Sequence, residues 1–278
     1  MRRSKSSRRR PGRDPFPATA PPARAGSQWS LAQEQVVGRH AGCSVVLDEQ
    51  YVSQQHAKFF VRGGSAFVED LGSTNGTWVN TVRIGERSVT PPLRCSITLA
   101  QAVPKGKLFD SIIQKATELG VHRIVPLLSE RVALQVDPDS ATQKTAKWRH
   151  VAIESIKQCG SGWLPRVEEP ISPARFAARQ EPFDLQLVAA LQPESCHLRA
   201  VLDQYHVREQ RPPKSVCIWV GPEGDFTPDE YRLIRQCGAR AITLGHLVLR
   251  VETASTYSLA VINHELQARH DFVVSRTF

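Results

Sequence analysis

The stretch IWVGPEGDFTPDEY, residues 218–231, changes character twice within its length. Ile218-Trp219-Val220 ends a short apolar run of buried-strand type, and Gly221 to Gly224 breaks it at once. Thr227-Pro228-Asp229-Glu230 then spells a capping box with proline at the first helical position. A strand that passes through a glycine turn into a capped helix is the repeating unit of a parallel sheet. Such turns collect ligands, because helix amino termini and unpaired backbone amides gather there. Spacing alone leaves a purely structural, well-capped connection equally open.

Working outward, LGHLVLRVETASTYSLAVINHEL (244–266) repeats the theme. Leu244-Gly245 is expected to end a strand, Arg250 and Glu252 interrupt an apolar run, and a helix is expected from near Thr253. Neither turn is a phosphate loop, since GxxxxGK[ST] and GxGxxG are both absent. Upstream, Phe109, Ile112, Ile113, Ala116 and Leu119 share one helical face, closed by Gly120. Trp148, Val151, Ala152, Ser155, Ile156 and Cys159 repeat that spacing and stop at Gly160. The segments RIVPLL, DLQLVAAL, SVCIWV and AITL read as buried strands between helices. The second half is therefore expected to be α/β, a largely parallel sheet with helices on both faces.

Before Pro91-Pro92 the texture differs. VVG, SVVLD, AKFFV, SAFVED, TWVN and VRI are short runs broken by glycines, the pattern of an antiparallel all-β module. Residues 1–30 carry eight Lys and Arg against Asp14, so +7 of the chain's formal +9 sits there and the remainder is +2. That Pro- and Arg-rich tail has too little apolar surface to offset the entropy of ordering, and is expected to be disordered. It could hold RNA through phosphates, or serve only as a solvated or transit-type leader. The expected division is a basic tail at 1–30, a β-module at 31–95 and an α/β domain at 96–270.

Six cysteines lie far apart, with no CxxC pair and no His at metal spacing, so free thiols and no metal site are expected. No run of apolar residues is long enough to span a membrane. The expected location is the cytoplasm.

QKATELGV (114–121), SER (129–131), KQCG (157–160), VGPEGDFTPDEY (220–231) and LGHLVLRVETA (244–254) resemble, in order and spacing, the ribosomal RNA small subunit methyltransferase E family. The resemblance covers about Ile97 to Leu266. It implies the SPOUT class of knotted methyltransferases, S-adenosylmethionine as methyl donor, ring nitrogen 3 of a uracil in 16S ribosomal RNA as acceptor, a trefoil knot and a homodimer with the site at its interface. Carried over by position, the cofactor would lie against Leu191, Gly221, Glu223, Gly224, Leu244, Gly245, Leu249, Arg250 and Thr253. Arg250 and Arg131 are the implied catalytic cations, with Lys115, Arg131 and Gln158 toward RNA. Glu118, Glu252 and Gln158 are candidate positioners, although a structural ion pair is an alternative for each and accounts better for the two glutamates. His246-Leu247 departs from the family's usual Pro-Arg.

In place of the small β-barrel with which that family begins, VGRHAGCSVVLDEQYVSQQHAKFF (37–60) and DLGSTNGTWVN (70–80) resemble a forkhead-associated (FHA) domain, a β-sandwich that reads phosphothreonine. By position, Arg39 would pair with the phosphate, Ser53, Thr74 and Asn75 would hydrogen-bond phosphate or peptide, and His56 would be structural. Gln54 stands where a basic residue is usual. The strands that open and close such a sandwich have no counterpart between Val36 and Arg87. The leading reading is a ribosomal RNA methyltransferase; the rival is a phosphothreonine-binding scaffold protein with an inactive methyltransferase-like half.

Overall fold

The computed structural model describes residues 34–274, apart from 64, 80–81, 85, 90–94, 133–137, 162 and 191. The first described region is all-β. It runs β1 (Gln35–Gly38), β2 (Val45–Val46), β3 (Ala57–Arg62), β4 (Ser65–Asp70), β5 (Thr77–Val79), β6 (Val82–Ile84) and β7 (Glu86–Val89). One sheet has the order β2-β1-β3-β4-β7, and β5-β6 form a separate hairpin. Pairing is antiparallel except between β1 and β2, where the expectation of a wholly antiparallel module fails: Val37 faces Val45 in a parallel bridge. β7, which the sequence reading left out, pairs with β4 from Ala66–Val89 to Glu69–Glu86. The core here is small, with Ala57 and Val68 buried and Phe59 packed against them.

The rest of the chain alternates strand and helix: β8 (Ser96–Ala102), α1 (Leu108–Glu118), β9 (Arg123–Leu127), α2 (Pro138–Cys159), β10 (Arg166–Val167), α3 (Pro173–Ala177), β11 (Leu185–Ala189), α4 (Leu198–Glu209), β12 (Ser215–Val220), α5 (Pro228–Gln236), β13 (Arg240–Ile242) and α6 (Val251–Val274). Six strands form one sheet in the order β10-β9-β8-β12-β11-β13, and every pairing in it is parallel.

Both faces of this sheet are covered, so its strands are apolar on both sides. Alternate residues go to opposite layers. Ile97, Leu99, Val216, Ile218 and Leu187 meet α1, α2, α4 and α6 through Ile112, Trp148, Val201 and Leu259. Ala100, Cys217, Trp219 and Val188 meet α3 and α5 through Phe176 and Ile234. Gly120 ends α1 in the left-handed region at φ +78°. Its N–H bonds to the Thr117 carbonyl and that of Val121 to Ala116, the reciprocal pair that satisfies a helix's last carbonyls.

Two boundaries differ from the sequence reading. β13 stops at Ile242, before Leu244-Gly245, and α6 starts at Val251, before Thr253. β13 is held on two sides: Ala190 N–H bonds to the Ile242 carbonyl, and Cys196 N–H to that of Ala241. Asp184, just before β11, receives both guanidinium nitrogens of Arg211 at 2.8 and 2.9 Å and the Lys214 N–H at 2.6 Å. This fork ties the entry of β11 to that of β12.

All six cysteines are free thiols. No helix among the described residues is long and apolar enough to cross a membrane.

Candidate functional site

At the carboxyl edge of the parallel sheet, the turn after β12 and the segment after β13 enclose a cleft. Gly221, Pro222, Glu223 and Asp225 form one wall, and Leu244, Leu247, Val248 and Leu249 the other; Val251 and Ala254 of α6 close the base. The first wall is a tight turn, in which Asp225 N–H bonds to the Pro222 carbonyl at 2.9 Å. Asp225 itself lies at φ +60°, and its carboxylate accepts the Phe226 N–H at 2.7 Å. A Cβ on Gly221 would come within 2.8 Å of that carboxylate and 3.1 Å of Phe226 N, so the turn closes only around glycine. Gly245 has φ +114°, a conformation that side chains rarely adopt.

Of the residues expected to hold a cofactor, Gly221, Glu223, Leu244 and Leu249 line the cleft. Gly224, Gly245, Arg250 and Thr253 belong to the same two segments or the adjoining first turn of α6. Leu191 lies outside the described residues. Glu223 reaches across the sheet edge, where its carboxylate accepts the Lys105 N–H at 3.0 Å. Arg250 stands just ahead of α6, its carbonyl accepting the Ala254 N–H at 2.8 Å. Its guanidinium is exposed and makes no ion pair among the described residues.

Arg131 joins the cleft from another direction: its guanidinium hydrogen-bonds the Gly224 carbonyl. What brings it there is Glu230, a residue visible in sequence only as half of a capping box. The box is present, with Thr227 and Glu230 exchanging hydrogen bonds. The buried Glu230 carboxylate also accepts from the Ser129 hydroxyl at 2.8 Å and the Glu130 N–H at 2.9 Å. No local signal marks that second use, because its partners lie about a hundred positions away.

Lys115 and Gln158 are not brought to the cleft. They occupy the last turns of α1 and α2, which lead back to the opposite edge of the sheet, where His122 N–H bonds to the Ile97 carbonyl. Lys115 is paired with Glu118 at 2.9 Å. Glu252 sits in the first turn of α6, a favourable place for a carboxylate against the helix dipole.

A second constellation lies in the β-module. Arg39 N–H bonds to the Ser53 carbonyl at 2.9 Å, and Thr74 N–H to the Ser53 hydroxyl at 2.9 Å. Asn75 donates to the Tyr51 carbonyl at 3.0 Å, while the His56 ring accepts the Ser53 N–H at 3.1 Å. Partial burial opposes ionisation of Asp70, but hydrogen bonds from Ser73 and Thr77, both at 2.6 Å, outweigh it and hold the carboxyl below its ordinary range. The expected phosphopeptide residues Arg39, Ser53, Thr74 and Asn75 are thus all exposed or half-exposed on three neighbouring loops.

The RNA methyltransferase domain family model matches residues 91–263, which is more than half of the chain. The chain belongs to this family. Ribosomal RNA small subunit methyltransferase E of Synechocystis is 34% identical over 173 residues, covering 62% of this chain and 54% of the relative. The enzyme of the same description from Bacillus subtilis is 30% identical over 177 residues, covering 63% and 68%. The chain thus spans only about half of the first relative's length. Among solved structures, a Legionella pneumophila protein with bound S-adenosylmethionine superposes with TM-score 0.58 at 28% identity, covering 75% of this chain and 77% of that one. A ribosomal RNA small subunit methyltransferase E from Neisseria gonorrhoeae bound to S-adenosylmethionine gives 0.56 at 26%, with the same coverage.

The FHA domain model matches residues 36–99. Its last residues overlap the RNA methyltransferase match, and the structure decides between them. Residues 96–99 of that overlap belong to β8, which lies between β9 and β12 in the parallel sheet.

Proposed function

We propose that this chain is an S-adenosylmethionine-dependent methyltransferase acting on ring nitrogen 3 of a uridine in small-subunit ribosomal RNA. The observation that carries the reading is the cleft at the carboxyl edge of the parallel sheet, walled by Gly221–Asp225 and Leu244–Leu249. Its chemistry suits that donor. The walls offer apolar side chains for a flat ring, and the tight turn that only glycine permits at Gly221 forms one of them. When bound, the donor supplies a sulfonium methyl already activated for transfer.

The protein's share is then placement and charge. Gly221, Glu223, Gly224, Leu244, Gly245, Leu249, Arg250 and Thr253 form the cofactor wall in this reading. Holding the acceptor nitrogen in line with the methyl accounts for much of the acceleration. That nitrogen must give up its proton, and the exposed guanidinium of Arg250 offsets the negative charge that develops on the ring. Arg131, fixed to the Gly224 carbonyl, positions the turn and faces the RNA. Lys115 and Gln158 would touch RNA farther from the reacting base.

The same proposal includes a homodimer, supported by Leu247 and Val248, 75% and 83% exposed at the cleft rim. It includes a trefoil knot, supported by β13 lying between Ala190 and Cys196 of one connecting segment. It keeps the division at 1–30, 31–95 and 96–270 and a cytoplasmic location. A second role is carried by its own observation, the convergence of Arg39, Ser53 and Thr74: binding of a phosphothreonine-containing protein by the β-module.

Calorimetry with S-adenosylmethionine, followed by tritiated-methyl transfer to small-subunit RNA and nucleoside analysis of the product, tests the reading. Absence of cofactor binding removes the enzyme. Label in a nucleoside other than 3-methyluridine removes the stated specificity alone.

A further inference from the structure

Beside the cleft, and not part of it, a hollow of about 310 Å³ opens between the β8–α1 connection and α2. Lys105, Lys107, Lys144 and Lys147 line it. Asp110 is the one carboxylate among its lining residues, and it is taken by Lys147 at 2.6 Å. Lys105, Lys107 and Lys144 have no carboxylate partner among the described residues. Beneath them Phe109 and Trp148 are 2% and 5% exposed, packed edge to face at 4.6 Å. Three lysines without a carboxylate partner thus line one hollow over a rigid apolar floor, and clustered cations of this kind favour an anion.

The position of the hollow says which anion. β8 and β12 are neighbours with Gln101 opposite Val220, so the hollow after β8 and the cleft after β12 open side by side on one sheet edge. The Lys105 N–H on the Glu223 carboxylate joins their rims. Lysine heads on flexible stems offer charge without bidentate base readout, which suits phosphates and carries no sequence preference.

We infer that this hollow binds the sugar–phosphate backbone of the substrate RNA next to the modified nucleotide, an inference that rests on the function proposed above. Lys105, Lys107 and Lys144 hold the strand whose base enters the cleft, and they act on RNA affinity rather than on the chemistry.

The test uses the full chain carrying Lys105→Gln, Lys107→Gln and Lys144→Gln, with the corresponding triple Arg variant as rescue. Binding of a labelled single-stranded small-subunit RNA fragment is followed against salt, beside methyl transfer. Each phosphate contact contributes about 0.7 to the slope of log affinity on log salt for single strands. The Gln variant should therefore lose about 2 from that slope, and its KM for RNA should rise about 10-fold or more. Its kcat and cofactor affinity stay at wild-type values, and the Arg variant regains the slope. An unchanged slope and KM overturn the inference even if the enzyme methylates RNA. Lysine-dependent RNA binding by a chain that transfers no methyl group refutes the reaction and leaves the RNA contact standing. Competition by polyaspartate equal to that of RNA at matched charge overturns it in favour of an acidic protein.

Discussion

Glu230 accepts a hydrogen bond from the Ser129 hydroxyl at 2.8 Å across 101 positions of sequence. The same carboxylate takes the N–H of Glu130 at 2.9 Å and that of Thr227 at 3.0 Å. One buried side chain thus starts α5 and fixes the segment from which Arg131 reaches the Gly224 carbonyl. Glu230→Ala leaves three donors without their acceptor and should cost about 2–4 kcal/mol in urea unfolding. Ser129→Ala removes one neutral donor and should cost less than about 1.5 kcal/mol. A Ser129 variant as stable as wild type, beside the full loss in the Glu230 variant, would show that the carboxylate acts only as a helix cap.

Gly221→Ala tests the cleft wall separately from the fold. The added methyl meets the Asp225 carboxylate at 2.8 Å and must displace it from the Phe226 N–H. Overpacking of this kind costs about 1–3 kcal/mol. The expected result is a loss of cofactor affinity of roughly 10–100-fold with the far-ultraviolet spectrum unchanged. Wild-type affinity would place the donor elsewhere.

Arg250→Ala should abolish methyl transfer, by about 100-fold or more in kcat, while the fold stays intact. The side chain is exposed and unpaired among the described residues, so its removal should leave stability unchanged. Arg250→Lys keeps charge but not the planar fork, and should recover only part of the rate. Near-normal turnover by the Ala variant in a tritiated-methyl assay would remove Arg250 from the chemistry.

The fold was legible where local rules act. Alternating strands and glycine-stopped helices read directly, because Gly120 and Gly160 each adopt positive φ at a helix end. What could not be read are pairings made across the chain: the parallel β1–β2 bridge, the Glu230–Ser129 tie and Glu223 on Lys105. Each joins groups whose own neighbourhoods offer no hint of the partner. The same blindness hid the basic hollow, since Lys105 and Lys144 come together only when α2 packs on α1. Four residues carried over by family position, Gly221, Glu223, Leu244 and Leu249, line the cleft, whereas Lys115 and Gln158 lie at the other edge of the sheet.

Acid should weaken the α/β domain through Asp184. The Arg211 fork holds its carboxyl down against partial burial, with help from the Lys214 N–H, to about 2 from an ordinary 3.8. A depressed carboxylate contributes stability that is complete above its unfolded value. That stability disappears as pH falls from about 3.8 towards 2. Asp184→Asn should therefore lower the melting temperature at neutral pH, and the difference from wild type should shrink through that acid window. A constant difference down to pH 2 would deny the fork its role.

The phosphopeptide reading turns on Gly38 and Arg39. A Cβ on Gly38 would sit 2.2 Å from the Gln54 carbonyl, a backbone atom that cannot move aside cheaply. That close approach is what sets Arg39 against Ser53, whose hydroxyl already takes the Thr74 N–H. If this pair reads phosphothreonine, the full chain should prefer a phosphothreonine peptide over its unmodified form by about 10–100-fold, the worth of a charge-assisted pair. Arg39→Ala should erase the preference and leave stability alone, because the side chain is exposed. Gly38→Ala should erase it and also melt the β-module, because β1 can no longer close on the Ser53 loop. Loss of preference without loss of order in the Gly38 variant would contradict this account of the scaffold. A wild-type chain indifferent to the phosphate, in a peptide array read by fluorescence anisotropy, would leave the β-module a spacer and the methyltransferase half the whole function.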